Sequence, residues 1–301
     1  MIKYPKVSIV IPVYNCASIL GETLTKLQQQ NYVGEIEIIV ADNNSKDNSD
    51  RVVQKFSNVI IVYQKDIQNA AATRNKGIKI ATGEIIAFID GDCIPEKDWL
   101  SQGIKAIQET GADRIGGKIG VRPIFPDGSI YALIDALFCF DQETAVKYVN
   151  ACMTGNLFVK RSVFKQIGLF NQDFAEMEDM EFGIRAAKQG ISVAYADKAI
   201  VWHPPRQTFK EMWHKSKRNG KGTFILCQQN AKWAGKYGWK HPLRCIKIVI
   251  SLRKPNWKLL SFPYQQIPLT TRIKIYLMSW IVINIGEAYG YLRTWIKHFS
   301  R

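Results

Sequence analysis

The sequence predicts an α/β fold in which a mainly parallel sheet is flanked by helices. In the first third of the chain, β-branched apolar runs alternate with segments whose apolar residues recur at helical spacing. The predicted strands cover 7–12, 35–40, 59–63 and 84–89, and the predicted helices cover 18–29, 47–56 and 69–78. Strands and helices that alternate at these lengths are typical of parallel strands joined by right-handed crossovers.

The middle of the chain is predicted to complete this domain. Further strands are expected at 114–121, 153–159, 193–196 and 199–202, and further helices at 99–107, 130–138, 161–167 and 176–190. The composition becomes basic and aromatic after His203. We therefore place a first domain at 1–205 and a basic, helical C-terminal extension at 206–301.

The charge balance indicates a polyanionic partner. The chain has 301 residues, with 41 Lys+Arg against 26 Asp+Glu, which leaves a net charge of +15. Nucleic acid, an acidic membrane surface and a phosphorylated substrate all meet this requirement. The six cysteines are scattered without a CxxC pair, which argues against a zinc site or a disulfide scaffold and fits a reducing compartment. The first residues run straight into a strand without a signal peptide, so we expect a cytoplasmic protein.

Polar clusters follow three of the predicted strands. They are Tyr14 with Asn15, Asp42 with Asn43, and Asp90 with Asp92. The carboxyl ends of parallel strands meet at one edge of the sheet, which is where open α/β sheets bind ligands, so the clusters predict a nucleotide site. The motif GxGxxG does not follow the first strand, which weakens the case for a dinucleotide-dependent oxidoreductase. The motif GxxxxGK[ST] does not occur either, which excludes a P-loop.

The Asp90-Gly91-Asp92 stretch has two interpretations when it is taken alone. Alternate residues of an extended chain point to the same side, so the two carboxylates can converge on one cation. Asp and Gly are also common turn residues, and a simple loop after a strand is the alternative. The other two polar clusters favour the cation.

The motifs together resemble glycosyltransferase family 2. The matching stretches are 7–15 (VSIVIPVYN), 42–45 (DNNS), 72–77 (ATRNKG), the DxD element at 90–92 and the acceptor-side ED element at 178–179. They fall in the order of the family and span roughly residues 5–205. The resemblance implies a GT-A fold, a nucleoside-diphosphate-sugar donor, a divalent cation and inversion at the anomeric carbon. It divides the first domain into a nucleotide-sugar half at 1–95 and an acceptor half at 96–205.

The resemblance also implies roles for individual residues. The base and ribose pocket would be lined by Pro12, Tyr14 and Asn15, with Asp42 or Asn43 bonding the base. Asn69 and Arg74 would hold ribose and diphosphate oxygens, Asp90 would touch ribose or sugar, and Asp92 would bind the metal. On the acceptor side we expect Thr154, Gly155 and Asn156. Many members of the family have two acids where this chain has Asp42 and Asn43, so the choice between these two residues stays open.

The implied chemistry needs a cation and a base. Mn²⁺ or Mg²⁺ suits carboxylate ligands, and His203, at the end of a late strand, could add a nitrogen ligand. Inversion in one step needs a base opposite the leaving group, and the ED element indicates Asp179, with Glu178 orienting acceptor or base. The alternatives are a structural histidine and acids that only favour a helix N-terminus.

The C-terminal extension predicts contact with a membrane. Trp and Tyr interleave with Lys and Arg across 231–262, which suits anionic headgroups. An apolar helix at 275–292 follows, interrupted by Asn284 and Glu287. We interpret it as interfacial or self-associating, which leaves a homo-oligomer open. A single membrane span and simple packing on the catalytic domain are the alternatives. The predicted location is the cytoplasm, on the inner face of the plasma membrane.

The sequence therefore predicts an inverting glycosyltransferase. Its donor would be a UDP-sugar and its acceptor the hydroxyl of a glycan or lipid-linked precursor. One alternative is a nucleotidyltransferase of similar fold, although 13–16 lacks the Gly-rich, basic loop of those enzymes. Another is a basic nucleic-acid-binding module. Against it, the basic residues gather in the extension and no recognised nucleic-acid-binding motif occurs, so we expect no nucleic-acid partner.

Overall fold

The chain forms two compact units. A computed structural model describes residues 4–122, 129–229, 244–250, 253–256, 258 and 264–300. Unit 1 comprises Met1–Gly120 and Gln142–His203, and unit 2 comprises Val121–Asp141 and Pro204–Arg301. The segment Val121–Asp141 thus belongs with the C-terminal part of the chain, although it interrupts unit 1 in sequence.

The first four strands of unit 1 form a parallel sheet. They are β1 (Val7–Val13), β2 (Ile36–Asp42), β3 (Val59–Tyr63) and β4 (Ile85–Ile89), in the order β3-β2-β1-β4. Val7 pairs with Ile36 on one side and with Ile85 on the other. Every residue of β4 is buried, as the unbroken apolar sequence predicts for a central parallel strand.

Four helices connect these strands and lead into the second half of unit 1. They are α1 (Ala17–Gln28), α2 (Ser49–Val53), α3 (Ala70–Ile80) and α4 (Trp99–Thr110). Asp47 serves two helix N-termini, because one carboxylate oxygen accepts from the Ala17 N–H at 2.8 Å and the other from the Ser49 N–H at 3.1 Å. The loops after β1 and β2 are thereby held together at the carboxyl edge of the sheet.

The second half of the sheet is largely antiparallel. The strands are β5 (Ile94–Pro95), β6 (Arg114–Val121), β7 (Asn156–Lys160) and β8 (Val193–His203), and the full order is β3-β2-β1-β4-β7-β6-β8-β5. β7 pairs antiparallel with both β4 and β6. The α/β class is confirmed, and the parallel arrangement holds for the first four strands. The two strands predicted at 193–196 and 199–202 are one strand, because the polar residues between them lie on an exposed stretch that stays extended.

An aromatic cluster fixes the last helices of unit 1. After α5 (Ile130–Phe138), which belongs to unit 2, come α6 (Gln142–Thr144), a π-helical turn (Ala145–Val149), α7 (Arg161–Ile167) and α8 (Glu178–Lys188). Phe182 of α8 stacks on Phe164 of α7 with ring centroids 5.3 Å apart, and its ring lies 4.7 Å from that of Phe170. Phe182 is 1% exposed, so the α8 N-terminus is anchored by one core side chain within its first two turns.

Unit 2 is helical in its described parts. It contains α5, α9 (Phe209–Gln229), α10 (Arg244–Ile250), a 3₁₀ turn (Tyr264–Gln266), α11 (Leu269–Ser279), a π-helical turn (Trp280–Ile285) and α12 (Gly286–Phe299). α9 and α12 cross closely at two glycines: a Cβ on Gly220 would lie 2.0 Å from the Glu287 carbonyl oxygen, and one on Gly290 would lie 2.0 Å from that of Lys217. The apolar helix predicted at 275–292 is part of the helical run 269–299.

Part of the predicted membrane contact lies outside the described residues. This holds for Lys232, Trp233, Lys236, Tyr237, Trp239, Lys240 and Trp257. In the ranges that the structure describes, no helix combines the length and the apolar character that crossing a bilayer requires.

Candidate active site

The three polar clusters lie at one edge of the sheet. β2, β1 and β4 are parallel neighbours, so the residues that follow them share the carboxyl edge. The turn after β4 packs directly against the end of β1, because a Cβ on Gly91 would lie 3.0 Å from Val13 Cγ2 and 3.3 Å from the Pro12 carbonyl oxygen. This placement of Asp90 and Asp92 beside β1 is the arrangement that the sequence predicts.

Asp42 offers a buried acceptor atom at this edge. The residue is 4% exposed, and its Oδ1 accepts from the Ser45 N–H at 3.0 Å. Among the described residues, nothing donates to its buried Oδ2. By contrast, the amide of Asn43 donates to the carbonyl oxygens of Gln64 and Ile67, both at 3.0 Å. A buried acceptor without a donor is costly, so Asp42, rather than Asn43, is poised to receive an N–H from a ligand.

The loop after β1 presents an exposed ring beside Asp42. Tyr14 is 51% exposed, and Pro12 before it is partly buried. Asn15 adopts a positive φ of 54°, which asparagine tolerates better than most residues. Its Oδ1 accepts from the Lys46 N–H at 2.8 Å and its own N–H donates to Ser45 Oγ at 3.0 Å. Asn15 therefore ties this loop to the loop after β2, and Tyr14 is left free to stack on a planar ligand.

A single arginine joins the donor-side and acceptor-side motifs. Arg74 lies on α3, and its side chain is only 5% exposed. One terminal nitrogen donates to Asp90 Oδ1 at 2.8 Å and the other to Glu178 Oε1 at 2.6 Å. The DxD and ED elements, 86 or more residues apart in sequence by their numbering, thus lie within the width of one guanidinium group. The predicted contact of Arg74 with ribose or diphosphate stays a prediction, because both terminal nitrogens already bind protein carboxylates.

Asp179 has the protonation behaviour that a general base requires. Burial and, after it, the neighbouring Glu178 carboxylate raise its pKa to about 7. Arg74 and the N–H groups of Met180 and Thr154 oppose this rise in pKa, and the Met180 N–H donates to Asp179 Oδ1 at 2.8 Å. The residue as a whole is partly exposed, whereas its carboxyl group is buried, which is why the pKa rises. A carboxylate with a pKa near the working pH accepts protons most effectively.

The N-terminus of α8 is set by an unusual backbone conformation. Met177, immediately before the helix, has φ 66° and ψ 20°, in the left-handed region that non-glycine residues seldom occupy. Strain of this kind persists where the surroundings impose it. Here the packed ring of Phe182 and the ion pair of Glu178 with Arg74 hold the first two turns of α8 in place. Met177 is a positioning residue that no sequence pattern indicated.

Two of the three residues predicted on the acceptor side lie next to Asp90 or Asp179. A Cβ on Gly155 would lie 3.1 Å from Asp90 Oδ2, so the glycine leaves this oxygen accessible. The Thr154 N–H donates to Asp179. Asn156 is fully buried, and its amide accepts from the Trp99 indole at 2.8 Å and donates to the Lys118 and Ala199 carbonyl oxygens. Within the described contacts, Asn156 supports β7 and its neighbours, while direct acceptor binding by these three residues stays a prediction.

Asn69 acts as the N-cap of α3. Its Oδ1 accepts from the Ala72 N–H at 2.8 Å, and its Nδ2 donates to the Gln172 carbonyl oxygen at 2.8 Å. Six residues later, Asn75 exchanges hydrogen bonds with the backbone of Phe170. These contacts tie α3, and with it Arg74, to the segment that leads into α8. The predicted contact of Asn69 with ribose or diphosphate oxygens is not tested by these bonds.

Asp92 and His203 form a donor set that fits a divalent cation. Asp92 Oδ2 lies 3.9 Å from His203 Nε2, and the Cys93 sulfur lies 3.9 Å from Asp92 Oδ1. Two ligand atoms that share an ion at about 2.1 Å each are roughly 3 to 4 Å apart. Carboxylate and imidazole are donors that Mn²⁺ accepts. Burial and the neighbouring carboxylates raise the pKa of the Cys93 thiol well above its usual range, so Cys93 suits Mn²⁺ less well than the other two.

Comparison with known proteins places the chain in a family. A model described as glycosyl transferase family 2 matches residues 8–168, more than half of the chain. The chain belongs to glycosyltransferase family 2. Glycosyltransferase AglE of Haloferax volcanii is 34% identical over 224 residues, which cover 72% of this chain and 73% of AglE. The enzyme class predicted from the sequence is therefore confirmed, and the nucleotidyltransferase alternative is not supported.

Solved glycosyltransferase structures share the fold. The mannosyltransferase PcManGT from Pyrobaculum calidifontis, in complex with GDP-Man and Mn²⁺, aligns with a TM-score of 0.65 at 17% identity, over 96% of this chain and 88% of that one. S. aureus TarS 1-349 in complex with UDP-GlcNAc aligns with a TM-score of 0.56 at 17% identity, over 98% and 92%. At these identities the likeness shows the GT-A-like fold of this glycosyltransferase.

Proposed function

We propose that this glycosyltransferase inverts the anomeric centre of a UDP-sugar while transferring the sugar to a hydroxyl of a glycan or lipid-linked acceptor. The observation that carries the proposal is the Arg74 bridge, which sets the first turn of α8 against Asp90. A donor at the carboxyl edge and an acceptor beside Asp179 would then meet within the same site. An enzyme that holds both reactants side by side in this way gains much of the rate enhancement of a bimolecular transfer.

The donor would be held by the residues that follow β1 and β2. The free Oδ2 of Asp42 would accept an N–H of the base, and the ring of Tyr14 would stack against the base or ribose. The accessible Oδ2 of Asp90 would accept a hydroxyl of ribose or sugar. Asp92 and His203 would hold the divalent cation, which, when bound, neutralises charge on the diphosphate.

The reaction proposed at Asp179 is a single displacement. The acceptor hydroxyl gives its proton to the Asp179 carboxylate as its oxygen bonds to the anomeric carbon. The bond from that carbon to the diphosphate oxygen breaks, and the nucleoside diphosphate leaves with the electron pair. Glu178, fixed by Arg74, orients Asp179 or the acceptor and keeps the pKa of Asp179 high.

A panel of nucleotide sugars tests the donor site. With Mn²⁺ present, we expect a UDP-sugar to raise the melting temperature and to release UDP slowly. Asp42→Asn should weaken this binding by about tenfold, because the amide presents a donor where the carboxylate presents an acceptor. Removal of metal with EDTA, or Asp92→Asn, should weaken it as well. Exposed Asp66→Asn, on the loop after β3, is the matched control.

Two results would overturn the donor assignment. One is the absence of stabilisation by every uridine and guanosine diphosphate sugar in the presence of Mn²⁺. The other is stabilisation by a GDP-sugar alone. That result would keep the reaction class and would show that the nucleobase of the donor is guanine instead of uracil. Equal donor affinity in Asp42→Asn and the wild type would remove Asp42 from the base pocket.

A further inference from the structure

The net charge of the protein is confined to one of its two units. Unit 2 contains 20 Lys+Arg and five Asp+Glu, whereas unit 1 contains 21 of each. The difference in unit 2 equals the whole net charge of +15. The candidate active site lies entirely in unit 1. The polyanionic partner that the charge predicts is therefore expected at the surface of unit 2.

Unit 2 also exposes an apolar stripe along its last helical run. The exposed apolar residues recur at helical spacing, so they share one face. They are Leu269, Ile273, Tyr276, Leu277, Trp280, Ile281, Tyr289, Leu292, Ile296 and Phe299, each between 36% and 65% exposed. A run of 31 residues measures about 46 Å at 1.5 Å per residue. Soluble monomers rarely expose an apolar surface of this extent, and we name it the 269–299 stripe.

Basic side chains border the stripe. Lys274, Arg293 and Lys297 are exposed, and each directly follows a residue of the stripe in sequence. A neighbouring position on a helix is turned by about 100°, so these charges flank the apolar face. An apolar face bordered by Lys and Arg is the pattern of helices that lie in the headgroup region of anionic membranes.

The polar residues that interrupt this helix in sequence do not interrupt the stripe. Asn284 is 3% exposed and donates to the Ile248 carbonyl oxygen at 3.2 Å. Glu287 is 6% exposed and pairs with Arg253 at 2.5 Å. Both face other parts of unit 2. The sequence favours an interfacial or self-associating helix over a membrane span. The structure separates a buried polar side from an exposed apolar side, which suits lying on a membrane.

A cavity opens at the centre of the stripe. Its volume is about 300 Å³, and Tyr276, Leu277 and Trp280 belong both to its lining and to the stripe. Phe138 and Ile283 also line it, together with Arg253, which pairs with Glu287. This size is at the lower end of the range for ligand cavities, about 300 to 1,000 Å³. Its lining suits a hydrocarbon chain near an anionic headgroup.

We propose that the 269–299 stripe is a membrane-binding surface that lies on an anionic phospholipid bilayer, with one lipid acyl chain entering the cavity beside Trp280. Charge complementarity selects the occupant: a second copy of this chain would bring two surfaces of +15 units together, whereas an anionic bilayer neutralises them. The inner leaflet of the plasma membrane carries such a charge. The proposal is independent of the transfer reaction, since no residue of the candidate active site belongs to the stripe.

Vesicle binding by the full chain tests the proposal. We expect co-sedimentation with vesicles of phosphatidylcholine plus phosphatidylglycerol, weaker binding to phosphatidylcholine alone, and weaker binding at high salt. The double variant Ile273→Gln, Leu277→Gln should reduce binding by about tenfold or more, because two exposed side chains no longer enter the bilayer. The matched control is Val33→Gln, Ile67→Gln, which removes two exposed apolar side chains from unit 1.

Contact between lipid acyl chains and Trp280, which belongs to both the stripe and the cavity, is tested by fluorescence quenching. Phosphatidylglycerol brominated in its acyl chains should quench part of the wild-type tryptophan emission, and Trp280→Phe should remove that quenched part. Equal vesicle binding by the stripe variant and the wild type would overturn the proposal, as would no binding to anionic vesicles. A dimer in analytical ultracentrifugation that the stripe variant abolishes, with vesicle binding unchanged, would assign the stripe to a second copy instead.

Discussion

Asp179→Asn is expected to abolish sugar transfer while it leaves the affinity for the donor within about twofold. The amide cannot accept the proton of the acceptor hydroxyl, and general-base catalysis contributes roughly 10²- to 10⁴-fold to a rate. The described hydrogen bonds and charge interactions of Asp179 involve Met180, Thr154, Glu178 and Arg74, and none of these follows β1 or β2. In the variant, the rate of UDP release in the presence of acceptor should therefore fall, while the dissociation constant of the donor should hardly change. Exposed Asp173→Asn, in the loop before α8, should keep wild-type activity.

The same residue predicts the pH dependence of both activity and stability. With a folded pKa of about 7, kcat/KM should fall as the pH falls below about 7, since the protonated carboxyl is no base. The folded pKa lies above the unfolded value of 3.8, so ionisation of Asp179 costs stability as the pH rises between these values. At pH 8 Asp179→Asn should raise the free energy of unfolding by roughly 4 kcal/mol, and the difference should vanish as the pH falls below about 4. Transfer at the wild-type rate by the variant would refute the assignment.

Arg74→Ala is expected to cause the largest loss of stability among the site variants. The arginine is buried and is shared by two carboxylates, and removal of one partner from a buried ion pair costs roughly 3 to 5 kcal/mol. Urea unfolding of the variant at pH 8 measures this loss. Lys76→Ala, exposed on the same helix, should change the free energy of unfolding by less than about 0.5 kcal/mol.

A conservative variant separates the structural role of Arg74 from its electrostatic role. Arg74→Lys keeps the positive charge but cannot bridge Asp90 and Glu178 in a fixed fork. We expect it to fold and to lose activity while the acid limb of the pH profile stays near its wild-type position, because the positive charge that lowers the pKa of Asp179 is kept. A stable Arg74→Lys variant with unchanged activity would show that the bridge does not position the base.

The sheet and its carboxyl edge were predictable from the sequence because they depend on local patterns. The apolar runs before Asn15, Asp42 and Asp90 define strands whose ends must meet once the strands are parallel. The long strand β8 was predicted as two, since its exposed polar residues in the middle are typical of a turn. The antiparallel pairing of β7 was not predictable in this way, because no local signal specifies which distant strand it joins.

The contacts that unite the site were less accessible to sequence reasoning. The bridge from Arg74 to Glu178 joins residues 104 positions apart, and the motif alone suggested a ligand contact instead. The left-handed Met177 has no sequence signature, unlike the asparagines that adopt the same region at other loops. For Asp42 and Asn43, the choice depended on which side chain was already bonded by the protein. Such distinctions need the three-dimensional arrangement of donors and acceptors.

The stereochemistry of the first product tests the central claim most directly. The reaction is run with an α-linked UDP-sugar and an acceptor that supports turnover. The NMR signal of the anomeric proton then gives the configuration of the initial product, before mutarotation or further reaction. Asp179 acting as base opposite the departing diphosphate predicts a β-linked product. An α-linked product would contradict a single displacement with Asp179 as its base.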